Sequence, residues 1–311
     1  MSTARMKSVA TVAGLVMTAS LAVATVDSAS ASDALPGWET ATPVTAVNDP
    51  VAADGCPIEA PGGKALYFAS VRGADGDNDI WTATRSSKGA EFGAPVMLPA
   101  PVNSDAQDFC PTPLRGGALL FVSTRGGTDA YGTASCGLGD IYITRLNSDT
   151  GVWAEPRNLG CAPNGPNGPG MEYGPSLVQT KSGVSLYFSS GDAVGAGTQD
   201  IYVSRACKGM HFRAPDPLAE LNTVGYDDFM PNVSSSGREI VFASSRPGGL
   251  GASDIYTSTR GYYSRTWREP VNLGPTVNSI AGESRPSLSR DGERLYFGRN
   301  GDIYVSQRAA G

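Results

Sequence analysis

Short apolar runs separated by Gly- and Pro-rich turns recur along the chain, and five of them carry the same phrase. Each opens with Asp-Ile and an aromatic: Asp79-Ile80-Trp81, Asp140-Ile141-Tyr142, Asp200-Ile201-Tyr202, Asp254-Ile255-Tyr256 and Asp302-Ile303-Tyr304. Upstream of each lies a second apolar run that includes Phe68, Phe121, Phe188, Phe242 or Phe297. That run follows a turn glycine at Gly63, Gly117, Gly183, Gly237 or Gly292. Further upstream, Pro57, Pro111, Pro175, Pro231 and Pro286 each open another short run. Apolar runs of this length, bounded by turn residues, predict strands. The repeating unit is therefore strand, Gly turn, strand, Gly-rich loop, strand.

A fourth strand follows in four units, marked by an aromatic shortly before a Pro: Phe92 with Pro95, Trp153 with Pro156, Phe212 with Pro215, Trp267 with Pro270. The fifth unit stops at "DIYVSQRAAG" without one. A matching piece stands near the other end, where "GWETATPVTAVND" (37–49) resembles "TWREPVNLGPTVNS" (266–279). An open ring of sheets would leave unpaired strand edges, so the N-terminal strand is expected to complete the last sheet. The expectation is an all-β fold, a five-bladed β-propeller of four-stranded antiparallel blades. Repeats of roughly 48 to 61 residues give one blade each. The blades are expected at about 50–102, 103–162, 163–221, 222–277, and 278–308 plus 38–48, within one domain spanning 32–311. A β-sandwich is the competing fold, but it does not explain a missing strand at the opposite terminus.

Phrases such as "RPSLSRDGERLYF" and "SSRPGGLGASDIYTSTR" resemble the WD40-like PD40 repeats of TolB-like proteins, over about residues 38–308. The resemblance implies a binding scaffold for proteins or envelope components, with no shared catalytic residues.

Composition narrows the setting. Arg5 and Lys7 precede an apolar run at 9–26, and "SASAS" offers a cleavage site at Ala29 and Ala31. This pattern predicts a secretory signal peptide over residues 1–31, against a membrane anchor as the alternative. The expected location is secreted or periplasmic, with no stable membrane insertion. The whole chain carries a net charge of −6. The leader holds two cations and one acid, so cutting it leaves the remainder more acidic still. Such a surface repels phosphate backbones, and nucleic acid is not an expected partner. Five cysteines in an exported chain allow two disulfides. Placed on the propeller map, Cys136 with Cys161 is the favoured pair and Cys56 with Cys110 the second, leaving Cys207 free.

Candidate chemistry centres on two repeated carboxylates. The first is the Asp before Ile: Asp79, Asp140, Asp200, Asp254 and Asp302. It is read as structural, accepting N–H groups of the Gly-rich loop or pairing with Arg72, Arg125, Arg246 and Arg299, with Gly191 in that place in blade three. The second stands three residues before each strand-opening Pro: Asp54, Asp108, Glu172, Asp228 and Glu283. An Asn lies eight or nine residues before the same Pro: Asn48, Asn103, Asn167, Asn222 and Asn278. These acids ring the expected mouth of the central channel. One reading makes them loop architecture. The other makes them a ligand funnel that attracts cations or holds raised pKa values.

Three of them, Asp54, Asp108 and Glu172, follow the blade order of the catalytic acids in some five-bladed glycoside hydrolases. Two carboxylates at suitable separation suffice for glycoside hydrolysis. The expected function is therefore a non-enzymatic scaffold binding a protein, glycan or cationic ligand on its funnel face, with a glycoside hydrolase as the alternative. Tyr131, Tyr173, Tyr226 and Phe229 fall in funnel-face loops and are candidate anchors or loop packing. Asp75, Asp77 and Asp79 alternate as in part of a calcium loop, but the following glycine and distal Glu are missing. With His211 the only histidine, a Ser-His-Asp triad or multi-His metal site is not expected. No motif calls for a cofactor.

Overall fold

The computed structural model describes residues 37–262 and 264–309; the leader expected at residues 1–31 lies outside them. Among the described residues the regular elements are strands, in five antiparallel sheets. The first strand, β1 (Thr42–Pro43), belongs to the last blade. Blade one is β2 (Asp54–Glu59), β3 (Ala65–Ser70), β4 (Asp79–Thr84) and β5 (Val96–Met97). Blade two is β6 (Asp108–Pro113), β7 (Ala118–Ser123), β8 (Asp140–Arg145) and β9 (Arg157–Asn158). Blade three is β10 (Met171–Thr180), β11 (Gly183–Gly191), β12 (Asp200–Lys208), β13 (His211–Phe212) and β14 (Asp216–Pro217), with β13 and β14 both on β12. Blade four is β15 (Asp228–Val233), β16 (Glu239–Ser244), β17 (Asp254–Thr259) and β18 (Val271–Asn272). Blade five is β19 (Glu283–Leu288), β20 (Arg294–Arg299) and β21 (Asp302–Gln307), closed by β1 in the order β1-β21-β20-β19. The fold is the five-bladed propeller.

The closing strand is held along its length. Thr42 and Pro43 sit opposite Val305 and Tyr304, and Trp38 bridges to Arg308. Glu39 N donates to Gln307 O (2.9 Å) and Val44 N to Ile303 O (2.8 Å). Pro43 is tolerated because β1 is an edge strand. In blades one, two and four the outermost strand begins just after the marker Pro, not at the aromatic, whereas in blade three Phe212 lies in β13 and β14 begins after Pro215. The aromatics Trp38, Phe92, Trp153, Phe212 and Trp267 are buried.

Hydrophobic clusters fill the blade interfaces. One joins Ile80 and Leu98 of blade one to Leu119 and Phe121 of blade two. Another joins Tyr296 and Ile303 of blade five to Leu66 and Phe68 of blade one, closing the circle by packing as well as pairing. The repeated Phe68, Phe121, Phe188, Phe242 and Phe297 are fully buried. Each such ring contributes about 1.5–3 kcal/mol of burial, which explains why the position does not vary between blades.

The innermost strand of every blade carries a bulge. Its register shifts just before the strand-opening Pro, between Gly55/Ile58, Phe109/Thr112, Tyr173/Ser176, Phe229/Asn232 and Ser284/Ser287. The residue there is left-handed in all five: Cys56 (φ 49°), Cys110 (φ 48°), Gly174 (φ 59°), Met230 (φ 52°) and Arg285 (φ 46°). The bulge re-aims these side chains, and they meet around the axis. Cys56 bonds Cys110 across blades one and two, with Cα atoms 4.8 Å apart. Arg285, fully buried, reaches from blade five to Pro231 O (3.2 Å), Thr112 Oγ1 (3.1 Å) and Pro175 O (3.3 Å) on three other blades. A Cβ on Gly174 would lie 3.0 Å from an Arg285 nitrogen and 2.6 Å from Met230 Cα, so glycine is what makes room for this plug. The second disulfide, Cys136–Cys161, ties the blade-two loop to that blade's exit, and Cys207 is free and exposed.

Candidate functional site

The face where the innermost strands begin is built from the two repeated polar residues. Each Asn bridges backwards to the Ile of an Asp-Ile pair. Asn103 Oδ1 accepts Ile80 N–H (2.8 Å) while its Nδ2 donates to Ile80 O (3.1 Å). The same two-point clasp joins Asn167 to Ile141, Asn222 to Ile201 and Asn278 to Ile255. Asn48 clasps Ile303 across the ring closure. The side-chain amide imitates one more strand residue, satisfying a donor and an acceptor that the short outer strand leaves open.

The acid five or six residues later closes the loop. Asp108 Oδ2 accepts Ser104 N–H (2.8 Å), Glu172 Oε1 accepts Gly168 N–H (2.8 Å) and Asp228 Oδ2 accepts Thr223 N–H (2.5 Å). Asp54 accepts Asp49 N–H (2.7 Å), and Glu283 takes the Ser279 hydroxyl (2.6 Å). Four of these acids are then capped by guanidinium groups: Arg72 on Asp54, Arg125 on Asp108 (2.6 Å), Arg246 on Asp228 (2.6 Å) and Arg299 on Glu283 (2.8 Å). The four acid side chains have no exposed surface. Each arginine also donates to the carbonyl just before the Asn, at Val47, Val102, Leu221 or Val277. It lies over two rings of its own blade as well, as Arg246 does over Phe242 (5.2 Å) and Tyr256 (4.8 Å). Arginine suits the position because one planar cation serves a carboxylate, a carbonyl and two aromatic faces together.

These contacts correct the sequence-based pairing. Arg72, Arg125, Arg246 and Arg299 engage the acids that open the innermost strands, not Asp79, Asp140, Asp254 and Asp302. The ladder register decides this, since Asp54 sits opposite Ser70 and Asp108 opposite Ser123, beside those arginines. The Asp-Ile carboxylates do other work in two blades. Asp254 accepts Leu250 N–H (2.7 Å) and Gly251 N–H (2.9 Å), and Asp140 accepts Cys136 N–H (2.7 Å), all from the Gly-rich loops. Burial raises Asp140 and Asp200 above the usual carboxylate range. Asp79 is pushed up to about 6, by burial first and then by Asp75, Asp108 and Asp77. Among the described residues no three His, Cys, Asp or Glu side chains converge as metal ligands.

Blade three departs from the pattern. Glu172 pairs in register with Ser190, which places Asp192 where blades one, two and four have arginine, whereas blade five has Arg299 at the register position itself; Gly191 is one residue short of the position Asp192 holds. Glu172 therefore meets the Ser190 hydroxyl (3.0 Å) and no cation, and its Oε2 has no partner. Burial pushes this carboxyl up to about 8. Burial raises Glu283 as well, but there the Ser279 bonds and Arg299 oppose the shift.

The aromatic candidates separate by exposure. Tyr131 is exposed, with its hydroxyl on Glu155 O (3.3 Å), and Tyr226 is exposed. Tyr173 is half-buried against Phe109, with ring centroids 5.6 Å apart. Phe229 is only 2% exposed and presents no surface to a ligand. The features that the sequence reading missed are aliphatic. Val51, Val224 and Ile280, each two or three residues after a clasping Asn, are 93%, 99% and 93% exposed. Leu138, Val194 and Leu250 stand out from the Gly-rich loops of the same face. A bare aliphatic residue two or three positions after the repeated Asn, in a loop of small and polar residues, was the available signal.

No family model and no curated protein matches the chain. Solved structures do. An endo-arabinase from Bacteroides thetaiotaomicron aligns with a TM-score of 0.55 at 12% identity, covering 90% of this chain and 98% of that one. Zg3597, a family 117 glycoside hydrolase from Zobellia galactanivorans, gives 0.52 at 12% identity, covering 88% and 91%. A protein proposed to be TolB from Agrobacterium tumefaciens gives 0.44 at 17% identity, covering 85% and 78%. At these identities the likeness is one of fold.

Proposed function

We propose that this propeller is a non-catalytic recognition scaffold working outside the cytoplasm, which binds a protein partner through the loops of its funnel face. One observation carries the reading. Four of the five ring acids are sealed beneath arginine, while Val51, Val224 and Ile280 stand almost fully exposed above them. Large apolar side chains gathered on one face mark interaction surfaces, and loops on a rigid ring vary without disturbing the core. A cationic ligand is disfavoured, because each sealed acid already has its counter-charge and Glu172 is held neutral. The two disulfides accord with an extracytoplasmic setting. The PD40-like phrases support the same reading.

The glycoside hydrolase reading has one observation in its favour. Glu172 is a protonated carboxyl free of any cation, which is what a general acid requires. Asp54 and Asp108, its partners in that scheme, are ion-paired and inaccessible. A photo-crosslinking residue placed at 224 tests the scaffold reading in the producing cells. It should trap one discrete protein, the trap should fail when Ile280→Asp is added, and the same residue at 97 on the outer strand should trap nothing. Equal capture from both positions would contradict it.

A further inference from the structure

The opposite face carries a cleft of about 1140 Å³ between blades three and four. It is formed by the turns joining the two innermost strands of each blade (180–183 and 235–237) and by the hairpins that follow the third strands. Lys181, Arg205, Arg213, Arg238, Arg260 and Arg265 line it, and no Asp or Glu does among the described residues. Six of the chain's 24 basic residues thus share one cleft, in a protein whose net charge is −6. Among the described residues, Arg205 alone of these six has a carboxylate partner, the exposed Asp216 at 2.9 Å. Arg260 forms part of the floor, half-buried over the Trp267 ring (4.2 Å) with its Nε donating to Gly237 O (2.6 Å). Lys181, Arg213, Arg238 and Arg265 are exposed and have no ion-pair partner among the described residues.

The local build explains why the cleft opens here. In blades one, four and five the third-strand arginine bonds back to its own turn, Arg85 to Gly63 O, Arg260 to Gly237 O and Arg308 to Gly292 O. Blade three has Ala206 at that position, and its Arg205, one residue earlier, pairs with Asp216 instead. Blade three's innermost strand also continues to Thr180 before turning, longer than the six-residue strands of its neighbours, and its third strand continues to Lys208. The two extensions raise one wall of the cleft above the face.

We infer that this cleft binds an anionic oligosaccharide. Like charges facing one another across a groove repel unless a ligand neutralises them, and a groove lined by one sign focuses the field that attracts it. Guanidinium groups grip carboxylate, sulfate and phosphate by paired N–H bonds. The volume lies at the upper end of small-ligand sites and is far larger than one inorganic oxyanion needs. Hydroxyls of Ser182 and Ser185 and the exposed ring of Tyr262 add the polyol and ring-face contacts a sugar uses. The overall negative charge opposes a long phosphodiester chain. The site stands apart from the funnel-face loops and does not depend on what they bind.

The test is direct titration of the full chain, by calorimetry, with a heparin-derived oligosaccharide and an oligogalacturonate, alongside a neutral arabino-oligosaccharide and duplex DNA. At least one of the two anionic sugars should bind, which identifies the preferred oxyanion, and the neutral one should not. Arg213→Glu with Arg238→Glu should weaken binding by roughly tenfold or more, since it places like charge against the ligand. The melting temperature should hold, because neither side chain makes an ion pair. Lys64→Glu, the same kind of charge change on blade one, should leave binding unaltered. Raising salt should weaken it further. Binding by neither anionic sugar, binding that survives the double reversal, or DNA bound as tightly as either sugar would each overturn the assignment.

Discussion

At the residue scale, the ring shows how one substitution beside a buried carboxylate decides whether it has a cation for a partner. Asp108 and Glu172 occupy the same structural position and are equally buried, yet one is paired with arginine and the other is not. Glu172 yields a pH prediction. Its folded pKa, raised to about 8 from 4.5, means the folded state holds a proton that the unfolded chain has lost across that interval. The associated stability is present in full below pH 4.5 and is lost as pH rises through about 8. Glu172→Gln keeps a neutral group in place, so its stability should fall less than the wild type's over that window, by a difference of order a few kcal/mol at the alkaline end. Denaturant melts of both proteins across the window check this, and parallel profiles would contradict it. The Asn and acid spacing was legible in the sequence as a fivefold coincidence. Their partners were not, because the arginine beside the acid in space is the residue nearer the Asp-Ile phrase along the chain.

At the scale of elements, strand order followed from the repeated phrases and the displaced Trp38 segment, since edge pairing is a strong physical constraint. Local register was harder to read. The nine-residue β11 ends at Gly191 and leaves Asp192 in the arginine's place, a one-residue difference that the glycine-rich text conceals. The bulges were invisible for a related reason: only the pairing shows that Cys56, Gly174 and Arg285 share one left-handed position. Phe229, expected in a funnel-face loop, is the second residue of β15 and is buried. The closing strand gives the prediction at this scale. Deleting residues 37–48 removes β1, the Trp38 ring, Val47 and the Asn48 clasp together, and exposes the outer edge of β21. Calorimetry should show the cooperative transition lost or moved far down in temperature. An unchanged, single sharp transition would mean that the ring does not depend on this closure.

At the scale of the whole molecule, the parts that hold the ring together are distinct from its exposed loops. Five interface clusters and an axis plugged by Arg285 and the Cys56–Cys110 bond hold the ring, while the inter-blade loops carry exposed side chains that the core does not need. Fold likeness to glycoside hydrolases shows how one ring can carry different chemistries, because activity resides in a few accessible groups and not in the blades. Here the groups that would be asked to react are the ones that tie the loops down. The most direct measurement is sugar release from arabinan and xylan by a large excess of the full chain over long incubation. The account predicts no release above the buffer blank, from the wild type or from Asp54→Asn, Asp108→Asn and Glu172→Gln. Sustained turnover by the wild type that vanishes in each of the three variants would contradict it.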